Sequence, residues 1–160
     1  MIPIIYESQA GHAQRYAQLL AQRVGGEAIS LKEAKKTVRR GSPVIFIGWV
    51  FANQIRGYSA ARKRWEVKAV CAVGMFPDCA ANLEALTERN KPGEPLFYLR
   101  GGLDPARVKG LSRKLLALVR EELIRENTPD GRELAEFIAK GADFVGEESL
   151  AQIAAFCLTL

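Results

Sequence analysis

The segment Tyr6-Glu7-Ser8-Gln9-Ala10-Gly11-His12-Ala13 joins a short apolar run to an amphipathic one, and its residue types suit an anion. The N–H groups in the first turn of a helix have no partner inside it, and that end carries the positive pole of the helix dipole. A phosphate set there meets both donors and a favourable potential. Gly11 lets the backbone close around such an anion, and the Ser8 hydroxyl can donate to it. The plainer reading is a strand-to-helix turn that Ser8 caps.

Two further segments carry aromatic side chains next to buried runs. Gly48-Trp49-Val50-Phe51-Ala52-Asn53-Gln54 follows the apolar run Val44–Ile47 and reads as a loop at the mouth of a sheet. An indole there can stack on a planar ligand, a contact worth about 0.5–1.5 kcal/mol beyond burial; the plainer role is to cover the sheet's edge. Gly74-Met75-Phe76-Pro77-Asp78 follows Val67–Val73 and adds a second aromatic and backbone amides held by proline. Aromatics on two loops and a phosphate seat on a third outline a slot for a flat heterocycle with a phosphorylated tail. FMN has that shape. Its phosphate would go to Ser8, Gln9, Ala10, Gly11, His12 and Ala13. Its ring would lie between Phe76 and Trp49, with Val50, Phe51, Ala52 and Asn53 completing the second loop. Amides around Gly74, Met75, Phe76, Pro77 and Asp78 would meet the pyrimidine edge.

The elements that must hold these loops follow from the hydrophobic pattern. Ile2–Tyr6, Glu27–Leu31, Val44–Ile47, Val67–Val73 and Leu96–Leu99 are short apolar runs and predict strands. Ala13, Tyr16, Ala17, Leu20 and Val24 recur at helical spacing, and Gly25-Gly26 ends that helix. Asn82–Arg89 is helical. A longer helix is expected from Asp104, with Asp104 as its cap and Pro105 in its first turn. Val108, Leu111, Leu115, Leu118 and Leu123 form its apolar stripe, and helices over Asp130–Lys140 and Ser149–Cys157 follow. Strands alternating with helices require crossovers, hence a parallel sheet covered on both faces. The expected fold is a single α/β domain: a flavodoxin-like three-layer sandwich with a five-stranded parallel sheet in the order 2-1-3-4-5. In such sheets ligands bind beyond the carboxyl ends of the strands where the order reverses, which is where the three loops fall.

Composition narrows the function classes. With 160 residues, 48% hydrophobic and 26% charged, the chain is long and apolar enough for an ordinary core, which excludes disorder. Three cysteines, none in a C-x-x-C pair, and a single histidine supply neither a disulfide framework nor a zinc site. No run approaches the roughly 20 apolar residues of a membrane span, and no secretory signal is evident, so a cytoplasmic protein is expected. The net charge of +5 concentrates in Lys32–Arg40 and Arg62–Arg64. Such runs attract phosphates, anionic lipid or acidic proteins. Without an aromatic platform or recognition-helix pattern beside them, they predict docking or solubility rather than specific nucleic-acid binding. Cys71 and Cys157 read as small core residues, Cys79 lies beside the proposed slot, and the Glu121-Glu122 and Glu147-Glu148 pairs read as solvated. No Ser-His-Asp arrangement or Walker loop is present.

At this level the sequence resembles a known family. Ile4–Ala13 is similar to the start of flavodoxins, whose phosphate loop follows Ser/Thr-x-Thr-Gly-x-Thr. Gly48-Trp49-Val50, Gly74-Met75-Phe76-Pro77-Asp78 and Gly102-Leu103-Asp104-Pro105 resemble a flavodoxin-domain subgroup common in anaerobic bacteria and, more distantly, flavodoxin-like protoporphyrinogen oxidases. The likeness runs in order from residue 2 to about 125. It implies FMN binding and electron or hydride transfer to a redox partner protein or a small acceptor, with His12 contacting the phosphate. Ala10 and Ala13 stand where the family has threonines, and the chain is basic where electron-carrying flavodoxins are acidic. Two other functions stay open: an FMN-dependent oxidoreductase acting on a quinone or tetrapyrrole, and a flavin-free fold serving as a basic interaction module.

Overall fold

The computed structural model describes residues 1–160 as two compact units, Met1–Gly101 with Val145–Leu160, and Gly102–Phe144. In the first unit the apolar runs form β1 (Ile4–Glu7), β2 (Ala28–Ser30), β3 (Pro43–Phe51), β4 (Gln54–Ile55), β5 (Glu66–Gly74) and β6 (Leu96–Arg100). Between them lie α1 (His12–Val24), α2 (Leu31–Thr37), α3 (Tyr58–Arg62) and α4 (Ala80–Asn90), and a C-terminal helix spans Ala151–Cys157.

The sheet runs β2-β1-β3-β5-β6, with every pairing along that path parallel. With β4 set aside, these five strands follow the order expected from the alternation. The sheet nevertheless has six strands and not five, because β4 folds back antiparallel on β3, pairing Val50 with Ile55 and Phe51 with Gln54. The turn between them is Ala52-Asn53, both left-handed at φ 48° and 60°. Two such residues in succession make the tight hairpin whose twist matches the strands. A two-residue strand has no periodicity to read, and Ala-Asn lacks the glycine that normally marks this turn. Gly48 admits the returning strand: a Cβ on it would lie 2.6 Å from the Arg56 carbonyl oxygen.

Side chains alternate across the sheet and fill two cores. On one face Ile4, Ile45, Ile47, Cys71, Val73 and Leu99 pack under α1 and the C-terminal helix through Tyr16, Leu20 and Ile153. On the other, Ile5, Val44, Phe46, Val70 and Ala72 meet Leu31 of α2, Tyr58 of α3 and Leu86 of α4. β3 is thus apolar on both sides, as a central strand between helical layers must be.

The second unit pairs two helices, α5 (Gly110–Glu126) and α6 (Pro129–Lys140), with an antiparallel ribbon of β7 (Gly102–Leu103) and β8 (Ala142–Asp143). Asn127 ends α5 in a left-handed conformation, and Thr128 caps α6 by accepting from the Gly131 N–H at 3.0 Å. Leu103, Ala135 and Ile138 are its buried apolar residues. The long helix does not begin at Asp104. Asp104 caps only a single 3-10 turn, Pro105–Arg107, accepting from the Ala106 N–H at 3.1 Å. The chain then extends through Val108 and Lys109, and Gly110, at φ +61°, breaks any continuous helical path. No helix is long and apolar enough to cross a membrane.

Candidate functional site

The strand order reverses between β1 and β3, and the segments at their carboxyl ends are those carrying Ser8, Gly11 and Trp49. After Glu7 the chain turns through Ser8, Gln9 and Ala10 to Gly11, which caps α1 at φ 96°. Ser8 is not the helix cap. Its Oγ accepts from the Gly11 N–H at 3.1 Å, tying the turn together and leaving its own hydrogen to donate elsewhere. No side chain caps α1 and its first turn holds no acidic residue, so the N–H groups of Ala13 and Gln14 lie outside the helical ladder. That donor set suits a phosphate monoester. Gln9 is exposed and Ala10, Gly11 and His12 are half-buried. Ala13 is 1% exposed and packs in the core with Ile4 and Tyr16, so its backbone, and not its side chain, is what it can offer a ligand. His12 lies against the end of β6, where a Cβ on Gly101 would come within 2.9 Å of its own Cβ.

Trp49, Val50 and Phe51 do not form a loop, as the sequence pattern suggested, because β3 continues through all three. Trp49 pairs with Val73 of β5 and is half-buried. By alternation Trp49 and Phe51 share the face of Ile45 and Ile47, the one covered by α1; their ring centroids are 6.0 Å apart. The Arg56 guanidinium sits 5.9 Å from the Trp49 ring centre, within cation–π range. Phe51, on the same strand, is thus the aromatic neighbour of Trp49. Val50 packs against the opposite core, and Ala52 and Asn53 form the exposed hairpin tip.

The tip is held by a residue that sequence reasoning passed over. Asn90, at the end of α4, accepts from the Ile55 N–H at 2.9 Å and donates to the Asn53 carbonyl at 2.7 Å and the Leu86 carbonyl at 2.8 Å. Its position just before Lys91, a left-handed C-cap, marked only a helix end.

The segment after β5 is pinned along its carbonyls. Gly101 N–H donates to Gly74 O at 2.7 Å, Arg100 Nε to Met75 O at 3.2 Å, and Tyr98 Oη to Phe76 O at 2.6 Å. Asn82 Nδ2 reaches Pro77 O at 3.4 Å, while Pro77 and Asp78 are exposed. Gly74 is needed for this arrangement, because a Cβ there would stand 2.4 Å from Tyr98 Oη. Burial pushes the Tyr98 phenol up to about 12, with Asn82 and Arg100 pulling against it, so it is a proton donor at neutral pH. Tyr16 adds a tie between α1 and β6, donating to the Arg100 carbonyl at 2.6 Å. Tyr98 lay within the run Leu96–Leu99 that read as apolar strand and Arg100 just beyond it, so only their hydroxyl and guanidinium signalled a further role.

The other polar features lie elsewhere. Lys35 and Lys36 end α2, Arg62 ends α3 and Lys91 caps α4, each in the connection that leads to the next strand of the sheet. Arg64 donates to the Lys35 carbonyl, and Arg62 to the Lys91 carbonyl at 3.3 Å, which gathers the basic runs into one belt. Its Lys91 end directly follows Asn90 and so adjoins the hairpin tip at Asn53. An open concavity of about 580 Å³ along α4 lies outside the three segments described above, and one of about 340 Å³ beside β4 and α3 touches them only at Gln54. Burial raises the thiols of Cys71 and Cys157, consistent with inert core residues, and Cys79 is exposed. No three His, Cys, Asp or Glu side chains gather to hold a metal ion. The chain matches no protein-family model and no curated protein.

Proposed function

We propose that this protein is a flavodoxin-like carrier that binds FMN at the carboxyl ends of β1, β3 and β5 and exchanges electrons with a redox partner protein. One observation carries the reading: the Gly11-capped start of α1, free of acidic residues, opens where the strand order reverses. The phosphate would meet the N–H groups of Ala13 and Gln14 and the Ser8 hydroxyl. Trp49 shares the sheet face on which α1 lies and would take one face of the ring. The Gly74–Asp78 backbone, held by Tyr98 and Arg100, would border the pyrimidine edge. FMN supplies the one- and two-electron chemistry; the chain's own part is to bind, orient and shield it.

The test is a titration of purified protein with FMN, followed by flavin absorbance and fluorescence. Saturable binding, strengthened by Ala10→Thr, supports the reading. Ala10 is the informative position because it is only half-buried, whereas a threonine at Ala13 would force its hydroxyl into an apolar core. If neither wild type nor Ala10→Thr binds, the flavin-free interaction module is the better account. The basic belt favours that second reading.

A further inference from the structure

The hairpin of β3 and β4 gathers a cation and two aromatic rings on one face. Phe51 pairs with Gln54, and the Arg56 N–H donates to the Trp49 carbonyl at 2.9 Å, which sets Arg56 across from Trp49. Residues directly opposite one another in an antiparallel pair share a face. Trp49, Phe51, Gln54 and Arg56 therefore lie on the α1 side, while Val50 and Ile55 turn to the other core. The side-chain contacts agree. The Trp49 and Phe51 ring centroids are 6.0 Å apart, the Arg56 guanidinium is 5.9 Å from the Trp49 ring centre, and Arg56 Nη1 donates to Gln54 Oε1 at 3.3 Å. At that separation the guanidinium is within cation–π range but not in stacking contact, which takes about 3.5–4 Å.

The positive charge of Arg56 is uncommitted. It meets a neutral amide and an indole, and it bonds no carboxylate. No Asp or Glu occurs between Ala34 and Trp65, so the hairpin and its flanks supply no acid of their own. The acids of the three candidate segments are Glu7 and Asp78. Glu7 is turned to the opposite face of the sheet: a Cβ on Gly57 would meet the Glu7 Cβ at 3.0 Å together with Phe46 and Leu31 of the second core. Asp78 acts on the Tyr98 phenol.

A flat ring taken up by Trp49 would thus lie beside an unpaired cation. Two-electron reduction of FMN with uptake of one proton leaves one added negative charge on the ring at neutral pH. A nearby fixed cation favours the more negative form, and only such differential affinity can shift a balance between two states. We propose that Arg56 biases this site toward reduced FMN over oxidised FMN. The proposal rests on the flavin reading above and names the residue that sets which form the site prefers.

The test is the midpoint potential of FMN bound to the full-length chain, followed by absorbance during stepwise reduction with dithionite beside a reference dye. By linkage, the difference between bound and free potentials reports the ratio of affinities for the two forms. Arg56→Gln should shift that ratio against reduced FMN by about threefold or more, the scale of one exposed charge about 6 Å away. Arg56→Lys should keep most of the wild-type ratio, and added salt should shrink the difference between wild type and Arg56→Gln. Arg56 is exposed, so both variants should keep the wild-type melting temperature. The proposal is overturned if Arg56→Gln keeps the wild-type ratio, whether or not it weakens both forms alike, or if Arg56→Lys behaves as Arg56→Gln does. In those cases FMN is still bound and the flavin reading stands. A wild-type chain that binds neither form overturns both.

Discussion

The Tyr98 hydroxyl donates to the Phe76 carbonyl at 2.6 Å, across the 22 residues that separate the end of β6 from the turn after β5. The bond exists because Gly74 leaves room for the phenol. Removing the hydroxyl should leave a partly buried carbonyl without its donor. Tyr98→Phe is therefore expected to cost about 1–3 kcal/mol of stability. It should also weaken FMN binding, since the turn bordering the ring loses its anchor. Chemical denaturation and flavin titration of the same variant separate the two effects; unchanged values in both would mean that the bond does not position the turn.

The same burial makes a pH prediction. Tyr98 is raised from 10.0 to about 12, chiefly by desolvation. Below pH 10 both folded and unfolded states keep the phenolic proton, and the contribution is fully present. Above it the unfolded chain gives up its proton first, so this contribution to stability falls as pH rises through about 12. Tyr58 is raised as well, by burial first and then by Glu94. Phenolate absorbance should thus show Tyr98 and Tyr58 titrating late, with Tyr98→Phe removing one late step. Four tyrosines titrating together near pH 10 would contradict the packing around β6.

Asn90 makes the hairpin tip a test of long-range positioning. Asn90→Ala removes an acceptor from the Ile55 N–H and donors from the Asn53 and Leu86 carbonyls. A loss of about 1–3 kcal/mol is expected, from the groups left unsatisfied. Hydrogen exchange should speed up at Ile55 more than in β5. Asn90→Asp should recover the Ile55 bond but not the two donations, and fall between.

These contacts explain what could and could not be read from the sequence. The five parallel strands were legible because Val44–Ile47 and Val67–Val73 are apolar on both faces, a signature of burial between helices. The start of α1 was legible from the helical spacing of Ala13, Tyr16, Ala17 and Leu20, but its cap was not: Gly11 and not Ser8 holds that position. The continuation of β3 through Trp49 was not, since its pairing with Val73 is set by a neighbour distant in the chain. Neither were the roles of Tyr98, Arg100 and Asn90, which consist of hydrogen bonds spanning 22, 25 and up to 37 residues. Asp104 and Pro105 are good helix-start residues, but the left-handed Gly110 decided where the long helix begins.

The basic belt in the connections leading to β3, β5 and β6 should bind polyanions weakly and without sequence preference. Its lysines and arginines come from three helix ends, and Arg62 and Arg64 already spend hydrogen bonds on the Lys91 and Lys35 carbonyls. Phosphate contacts of this kind carry no base information and fade steeply with salt. Fluorescence anisotropy with unrelated oligonucleotides should give similar, salt-sensitive affinities. A clear preference for one sequence at physiological salt would overturn the expectation.

The flavin reading makes its sharpest prediction through the two tryptophans. Trp49 lies at the carboxyl end of β3, half-buried and within 6.0 Å of Phe51 by ring centroid. Trp65 is 3% exposed, precedes β5 at the opposite end of the sheet, and donates its indole N–H to the Val38 carbonyl at 3.3 Å. Bound FMN should therefore quench the emission of Trp49 strongly and that of Trp65 much less. Trp49→Phe should keep an aromatic face, bind flavin nearly as well, and lose most of the quenching. Trp49→Ala should weaken binding by about 1–3 kcal/mol, the scale of a lost aromatic contact with its stacking, or about fivefold to 150-fold in affinity. Because Trp49 also packs beside Phe51 and Arg56, the melting temperature of each variant must be read alongside. FMN bound with undiminished affinity by a folded Trp49→Ala variant would place the ring elsewhere. Quenching confined to Trp65 would put it at the opposite end of the sheet.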